Sequence, residues 1–251
     1  MVGLMEGHCN FRTFVMQVKY YRMNIIVTGA SRGLGFEMAS IFSHNHENKV
    51  IAIARSKEGL HRLKQSTGGN VHVFPFDLVS GDYIDILIPQ ILSVTRNIDI
   101  LVNNAGLLVN KPFADLDDDD FDLMFGANVK SAFRLTRSLL PYFSENAHIV
   151  NIGSMGGYQG SVKFPGLSLY SASKGALAIL TECLAEELKD RKISVNCLAL
   201  GSAQTEMLSQ AFPGYKAPLS AAEMAAFIAD FAWNGHRYFN GKILPVSVTT
   251  P

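Results

Sequence analysis

Apolar residues in this chain arrive in short, nearly unbroken runs: Ile25 to Val27, Val50 to Ala54, Val71 to Phe76, Ile98 to Val102, His148 to Ile152, Ser194 to Leu198 and Ile243 to Val246. Between them lie helix-length segments of mixed polarity. A strand wetted on one face alternates apolar with polar positions, whereas a strand covered on both faces by helices does not. The seven runs therefore predict a parallel sheet sandwiched between helices. Their regular spacing predicts right-handed crossovers and a doubly wound α/β fold. Long helices are expected over Leu116 to Tyr142 and Ser168 to Lys189. No repeat or linker divides the chain, so residues 23–251 read as one domain. Met23 runs directly into the first strand, and residues 1–22 read as an N-terminal extension that folding does not need.

Composition narrows the function classes. Lys+Arg 22 balances Asp+Glu 22, so the cation excess that drives nucleic-acid affinity is missing. No stretch reaches the roughly 18 apolar residues that span a bilayer, and the first 22 residues lack a secretory apolar segment. The three cysteines, Cys9, Cys183 and Cys197, are odd in number and show no metal spacing, which suits reduced, buried or semi-buried thiols in a cytoplasmic protein. The acidic run Asp117 to Asp120 reads as a helix start, where negative charge meets the positive end of the helix dipole. His44 and His46 read as a polar loop with no third ligand, and no metal site is expected.

Candidate chemistry begins after the first strand. Thr28-Gly29-Ala30-Ser31-Arg32-Gly33-Leu34-Gly35 opens a helix, Phe36 to Ser43. Three glycines there let backbone approach a pyrophosphate, and the helix amino terminus offers unpaired N–H groups to the anion. An acid about 20 residues after such glycines holds the ribose diol of NAD. Arg55 stands at that place, with Arg32 inside the turn and no acid before Glu58. Guanidinium forks match phosphate, so NADP(H) is the expected cofactor.

Tyr170-Ser171-Ala172-Ser173-Lys174 sets a phenol and an ammonium four residues apart, on one helix face. A nearby cation favours phenolate and eases proton exchange for a group whose ordinary pKa is about 10. The glycine turn, Asn103-Asn104-Ala105-Gly106 after the fourth strand, Ser154 after the fifth, and Tyr170 with Lys174 occur in the order and approximate spacing of the short-chain dehydrogenase/reductase family. From about Met23 onward the chain resembles that family's standard-length branch.

The resemblance implies a single Rossmann-type domain with an about seven-stranded parallel sheet. It implies that Tyr170 is the proton donor and that Lys174 lowers its pKa and holds the nicotinamide ribose. Ser154 would orient the substrate oxygen, and Asn128 would place a water for proton relay. It also implies cofactor contacts from Gly29, Ser31, Arg32, Gly33, Leu34, Gly35, Arg55, Asp77, Leu78, Asn104, Ala105, Gly106 and Thr205. The chain departs from the family in carrying Leu200 where proline is usual before Gly201. Its sixteen-position separation of Ser154 and Tyr170 enlarges the loop Tyr158 to Leu169 at the substrate mouth. The segment 202–220 reads as a short lid with Met207, Leu208, Phe212 and Tyr215 facing substrate or core. The expected activity is reduction of a ketone or aldehyde, a 3-oxoacyl thioester or another carbonyl compound. The partners implied are a small-molecule substrate and a second copy of the chain, as a homodimer or tetramer. The alternative is a catalytically silent NADP(H)-binding sensor or scaffold.

Overall fold

The computed structural model describes residues 22–248. All seven expected strands form, and they pair in parallel in the order Val71–Pro75, Lys49–Ala54, Asn24–Thr28, Ile98–Asn103, Phe143–Ile152, Ser194–Leu200, Ile243–Val246. The strands and helices of the first half are β1 (Asn24–Thr28), α1 (Gly33–Ser43), β2 (Lys49–Ala54), α2 (Lys57–Ser66), β3 (Val71–Pro75), α3 (Ile88–Val94) and β4 (Ile98–Asn103). The second half adds α4 (Asp118–Phe125), α5 (Ser131–Leu139), β5 (Phe143–Ile152), α6 (Ser168–Glu187), β6 (Ser194–Leu200), β7 (Ala203–Gln204), α7 (Glu206–Ala211), β8 (Leu219–Ser220), α8 (Ala221–Asn234) and β9 (Ile243–Val246).

Successive strand residues face opposite sides of a sheet, and the apolar runs fill both. Ile25, Val27, Val50 and Ala52 pack with Met38, Phe42, Leu60, Leu63 and Ile228 from α1, α2 and α8. Ile26, Ile51 and Ile53 pack with Ile91, Leu135, Leu139 and Ala185 from α3, α5 and α6. Full burial of each such side chain contributes about 1.5–3 kcal/mol, which is why the runs tolerate no alternation. Phe42 meets Trp233 edge-on with ring centroids 5.1 Å apart, closing α1 on α8.

Three expectations need correction. The long helix over Leu116 to Tyr142 is interrupted: Leu116 is extended, Asp117 caps α4, a π-helical turn occupies Gly126–Lys130, and a 3₁₀ turn takes Leu140–Tyr142. β5 starts at Phe143 rather than His148, because the polar Ser144, Glu145 and Asn146, the last at φ 64°, hide its first half from a hydrophobicity reading. Cys183 is exposed, whereas Cys197 is buried as expected. Cys9 and nearly all of the 1–22 extension lie outside the described residues. The acidic run is a helix start: Asp117 Oδ1 accepts from Asp120 N at 2.8 Å, and Lys111 pairs with Asp120 at 2.7 Å. Among the described residues no helix is long and apolar enough to cross a membrane.

Candidate active site

Strand order reverses between β1 and β4, and in a doubly wound sheet the crevice at the carboxyl ends of such strands receives ligands. Thr28 builds the bottom of that crevice. Its Oγ1 accepts from the backbone N of Asn104 and of Ala105, both at 2.9 Å, and donates to Val102 O at 3.3 Å. Asn104 Nδ2 returns a bond to Thr28 O at 2.9 Å. Asn103 turns the other way, to Asn151 Oδ1 at 2.9 Å, and serves the sheet rather than the crevice.

Two glycines are required by close approach. A Cβ at Gly29 would lie 2.9 Å from Ala105 Cα, and one at Gly35 would lie 2.3 Å from Gly29 O. Gly29 also has φ +68°, in the left-handed region that a side chain resists. Arg32, at the amino-terminal cap of α1, makes no capping bond with its side chain. The amides of the first turn therefore face outward unclaimed by a capping group, as an anion cradle requires. The donor chemistry and the absence of side-chain bulk fit a dinucleotide pyrophosphate.

A cavity of about 1010 Å³ opens from this cradle. Of the sequence-predicted residues, Gly29, Ser31, Arg32, Gly33, Leu34, Arg55, Asp77, Leu78, Asn104, Ala105, Gly106, Ser154, Tyr170, Lys174 and Thr205 line it. Gly35 and Asn128 stand behind the wall. Gly35 acts by letting Gly29 come close. Asn128 is buried at 1% exposure, its Oδ1 accepting from Leu107 N at 2.8 Å and its Nδ2 donating to Leu107 O and to Ser173 Oγ, each at 2.9 Å. It brackets the loop after β4. The lid residues Met207, Leu208, Phe212 and Tyr215 all reach the cavity. Asn110 fastens the lid by donating to Ala211 O at 2.9 Å, and Thr205 caps α7 by accepting from Leu208 N at 3.2 Å. Leu200, where proline was expected, ends β6 against the cavity.

Tyr170 and Lys174 lie one turn apart on α6, with Nζ 5.9 Å from the ring centroid. Lys174 is 5% exposed and donates to Ile152 O at 2.8 Å. Burial lowers its pKa to about 8. Cys197 beside it is pushed up to about 11 by its own burial, so this thiol is uncharged where Lys174 titrates and does not offset the desolvation. Tyr170 is half-buried and faces the cavity, and burial raises its pKa, against a hydrogen bond with Ser154. Desolvation is the largest influence on the phenol here, while Lys174, with a pKa of about 8, stays mostly cationic at neutral pH. A phenol held protonated is the form that donates a proton. Ser154 Oγ also accepts from Gly156 N at 3.1 Å, which orients the hydroxyl. At the far end, partial burial works to raise the pKa of Asp77, but bonds from Val79 and Ser80 and the charge of Arg55 leave it below the usual carboxylate range.

Sequence reasoning missed Ser56, Arg62, Leu107, Met155 and Glu206, which share the lining. Only Arg62 carried a usable signal, since it follows Arg55 on the next helix.

A phosphate cradle, a reversing parallel sheet and a protonated phenol beside a buried amine together define a dinucleotide-binding oxidoreductase. Residues 23–216 match the family model described as short chain dehydrogenase, and the chain belongs to that family, whose members act on alcohol and carbonyl groups with nicotinamide dinucleotides. It is 31% identical over 235 residues to Nodulation protein G of Rhizobium sp. (strain N33), covering 88% of this chain and 94% of that protein. It is 33% identical over 187 residues to the 3-oxoacyl-[acyl-carrier-protein] reductase FabG of Thermotoga maritima, covering 72% of this chain and 74% of that one. The solved 3-ketoacyl-(acyl-carrier-protein) reductase of Brucella melitensis, complexed with NADH, superposes with a TM-score of 0.79 at 29% identity, covering 89% of this chain and 96% of that one.

Proposed function

We propose that residues 23–251 form an NADP(H)-dependent reductase that turns a ketone or aldehyde into an alcohol, with 3-oxoacyl thioesters the first class to test, working as a homodimer. The observation that carries this is the convergence of Ser154, Tyr170 and Lys174 on one cavity that arginines also line. The reduced nicotinamide, when bound, supplies hydride to the carbonyl carbon. The glycine turn and the first amides of α1 hold the pyrophosphate, Asp77 and Leu78 flank the adenosine, and Lys174 binds ribose hydroxyls. Ser154 Oγ orients the carbonyl oxygen, and Tyr170 Oη delivers the proton that completes the alcohol. Apolar lid residues Met207, Leu208 and Phe212 shed water and favour an apolar substrate. The named 3-oxoacyl reductases among the relatives support the thioester class. The Brucella enzyme was solved with NADH, so the choice of NADP(H) rests on Arg32 and Arg55.

The test is kcat/KM for NADPH and NADH across a panel of 3-oxoacyl thioesters and simple ketones, with Tyr170→Phe beside the wild type. NADPH is expected to win, and Tyr170→Phe to lose about 10³-fold in turnover with NADPH binding retained. Equal use of NADH would end the NADP(H) assignment. Undiminished Tyr170→Phe would remove the proposed acid, and tight NADPH binding without turnover on any substrate would favour a sensor.

A further inference from the structure

We infer that Arg62 is a third phosphate-binding group of this site and sets selectivity for a dinucleotide phosphorylated on the adenosine ribose. The inference rests on the NADP(H) reading and adds to Arg32 and Arg55 a helix to which the glycine motif does not point.

α2 begins two residues after Arg55, at the cavity edge. Ser56 caps it, accepting from Gly59 N at 3.1 Å. Gly59 then fits against the glycine turn so closely that a Cβ there would lie 2.5 Å from Ser31 O and 2.6 Å from Ser31 Cβ. A backbone oxygen cannot rotate out of the way, so α2 approaches the turn only because residue 59 has no side chain. Arg62 follows three positions later on the same helix face. It joins Arg32, Arg55 and Ser56 in lining the cavity. Three arginines from three elements, the cap of α1, the end of β2 and α2, thus line one cavity.

No ion pair neutralises them. Among the described residues, the ion pairs are Lys111 with Asp117 and Asp120, Lys189 with Glu186 and Lys192 with Glu145, and none involves these arginines. Glu58, the acid nearest in sequence, accepts from Ser56 Oγ at 3.1 Å and does not line the cavity. Asp77 feels the charge of Arg55 but commits its oxygens to Val79 N at 2.9 Å and Ser80 Oγ at 2.8 Å. Glu206 also lines the cavity by the glycine turn, where a Cβ on Gly33 would lie 3.6 Å from its Oε2, but it forms no ion pair with these arginines. A phosphate monoester, with three acceptor oxygens and up to two negative charges, matches several guanidinium forks together.

Calorimetric titration with adenosine 2′,5′-bisphosphate and with 5′-AMP isolates the added phosphate without turnover. The wild type is expected to prefer the bisphosphate. Arg62→Gln is expected to weaken the bisphosphate about tenfold, leave 5′-AMP unchanged, and lose the difference at high salt. Arg62→Lys, which keeps the charge but not the fork, should restore part of it. If Arg62→Gln and Arg62→Lys bind the bisphosphate like the wild type while Arg55→Gln does not, Arg62 is a solvated surface residue and the NADP(H) reading stands without it. If the wild type binds both nucleotides equally, the cofactor reading falls and this inference falls with it.

Discussion

His148, in the core 1% exposed, shows how a single residue's protonation is fixed by its partners. Its Nδ1 lies 3.0 Å from Ala232 O, so that nitrogen carries the hydrogen and donates. Its Nε2 lies 3.0 Å from Asn196 Nδ2 and must accept. Asn196 has no freedom to flip, because its Nδ2 also donates to Phe239 O at 2.9 Å and its Oδ1 accepts from Lys242 N at 3.0 Å. A second proton on His148 would set one N–H against another. Burial, aided by neighbouring His236, lowers the pKa from 6.5 to about 4, against the bond to Ala232. Above pH 6.5 the ring is neutral folded or unfolded and costs nothing. Between 6.5 and about 4 the unfolded chain binds the proton and the folded chain does not, so stability falls as pH falls. Urea unfolding should show the wild type losing about 2–3 kcal/mol more than His148→Gln between pH 7 and 4.5; parallel losses would mean the ring protonates in place. The apolar run ending at Ile152 made His148 legible as a strand residue. Its role was not, because partners 48 and 84 positions away are set by topology rather than spacing.

At the scale of elements, strands were legible and interruptions were not. A run such as Val50-Ile51-Ala52-Ile53-Ala54 announces a strand because every position is buried, and a capping acid such as Asp117 announces a helix start. The π-helical turn Gly126–Lys130 leaves no such mark, since Ala127, Val129 and Lys130 are ordinary helix residues. Asn128 lies in this turn, and its amide bonds both backbone groups of Leu107 in the loop after β4. The glycine turn and Tyr170 with Lys174 were readable because local spacing carries their chemistry. The pKa of Tyr170 was not, because desolvation depends on the packed whole. Asn128→Ala would orphan the N–H and C=O of Leu107 and remove the bond that Ser173 Oγ accepts, while that hydroxyl still donates to Tyr170 O at 2.7 Å. The expected cost is about 2–4 kcal/mol of stability, at roughly 1–3 kcal/mol per abandoned buried group. Hydrogen exchange at the Leu107 amide should accelerate with it. If that amide stayed as protected as in the wild type, the side chain would not be what holds the loop.

The whole molecule leaves apolar surface on the elements around that turn. Phe121 on α4 is 45% exposed and stacks on Phe125 at 4.4 Å, and Ile179 on α6 is 60% exposed. α4 packs on α6, and Phe113, in the turn before α4, is 76% exposed. An isolated exposed phenylalanine is ordinary, but several exposed apolar side chains on packed helices are what an association surface would offer. Two-fold pairing is the commonest way for one chain to cover such a patch, since the same surface then serves both partners. The sequence carried half of this. Apolar richness in Leu116 to Tyr142 and Ser168 to Lys189 was visible, but which residues face the sheet and which face outward was not. Light scattering should therefore give twice the mass of one chain. Phe121→Asp combined with Ile179→Asp, placing like charges where the two copies meet, should return a folded single chain with unaltered nucleotide binding. A wild type already monomeric at micromolar concentration would leave the patch to some other use and withdraw the homodimer.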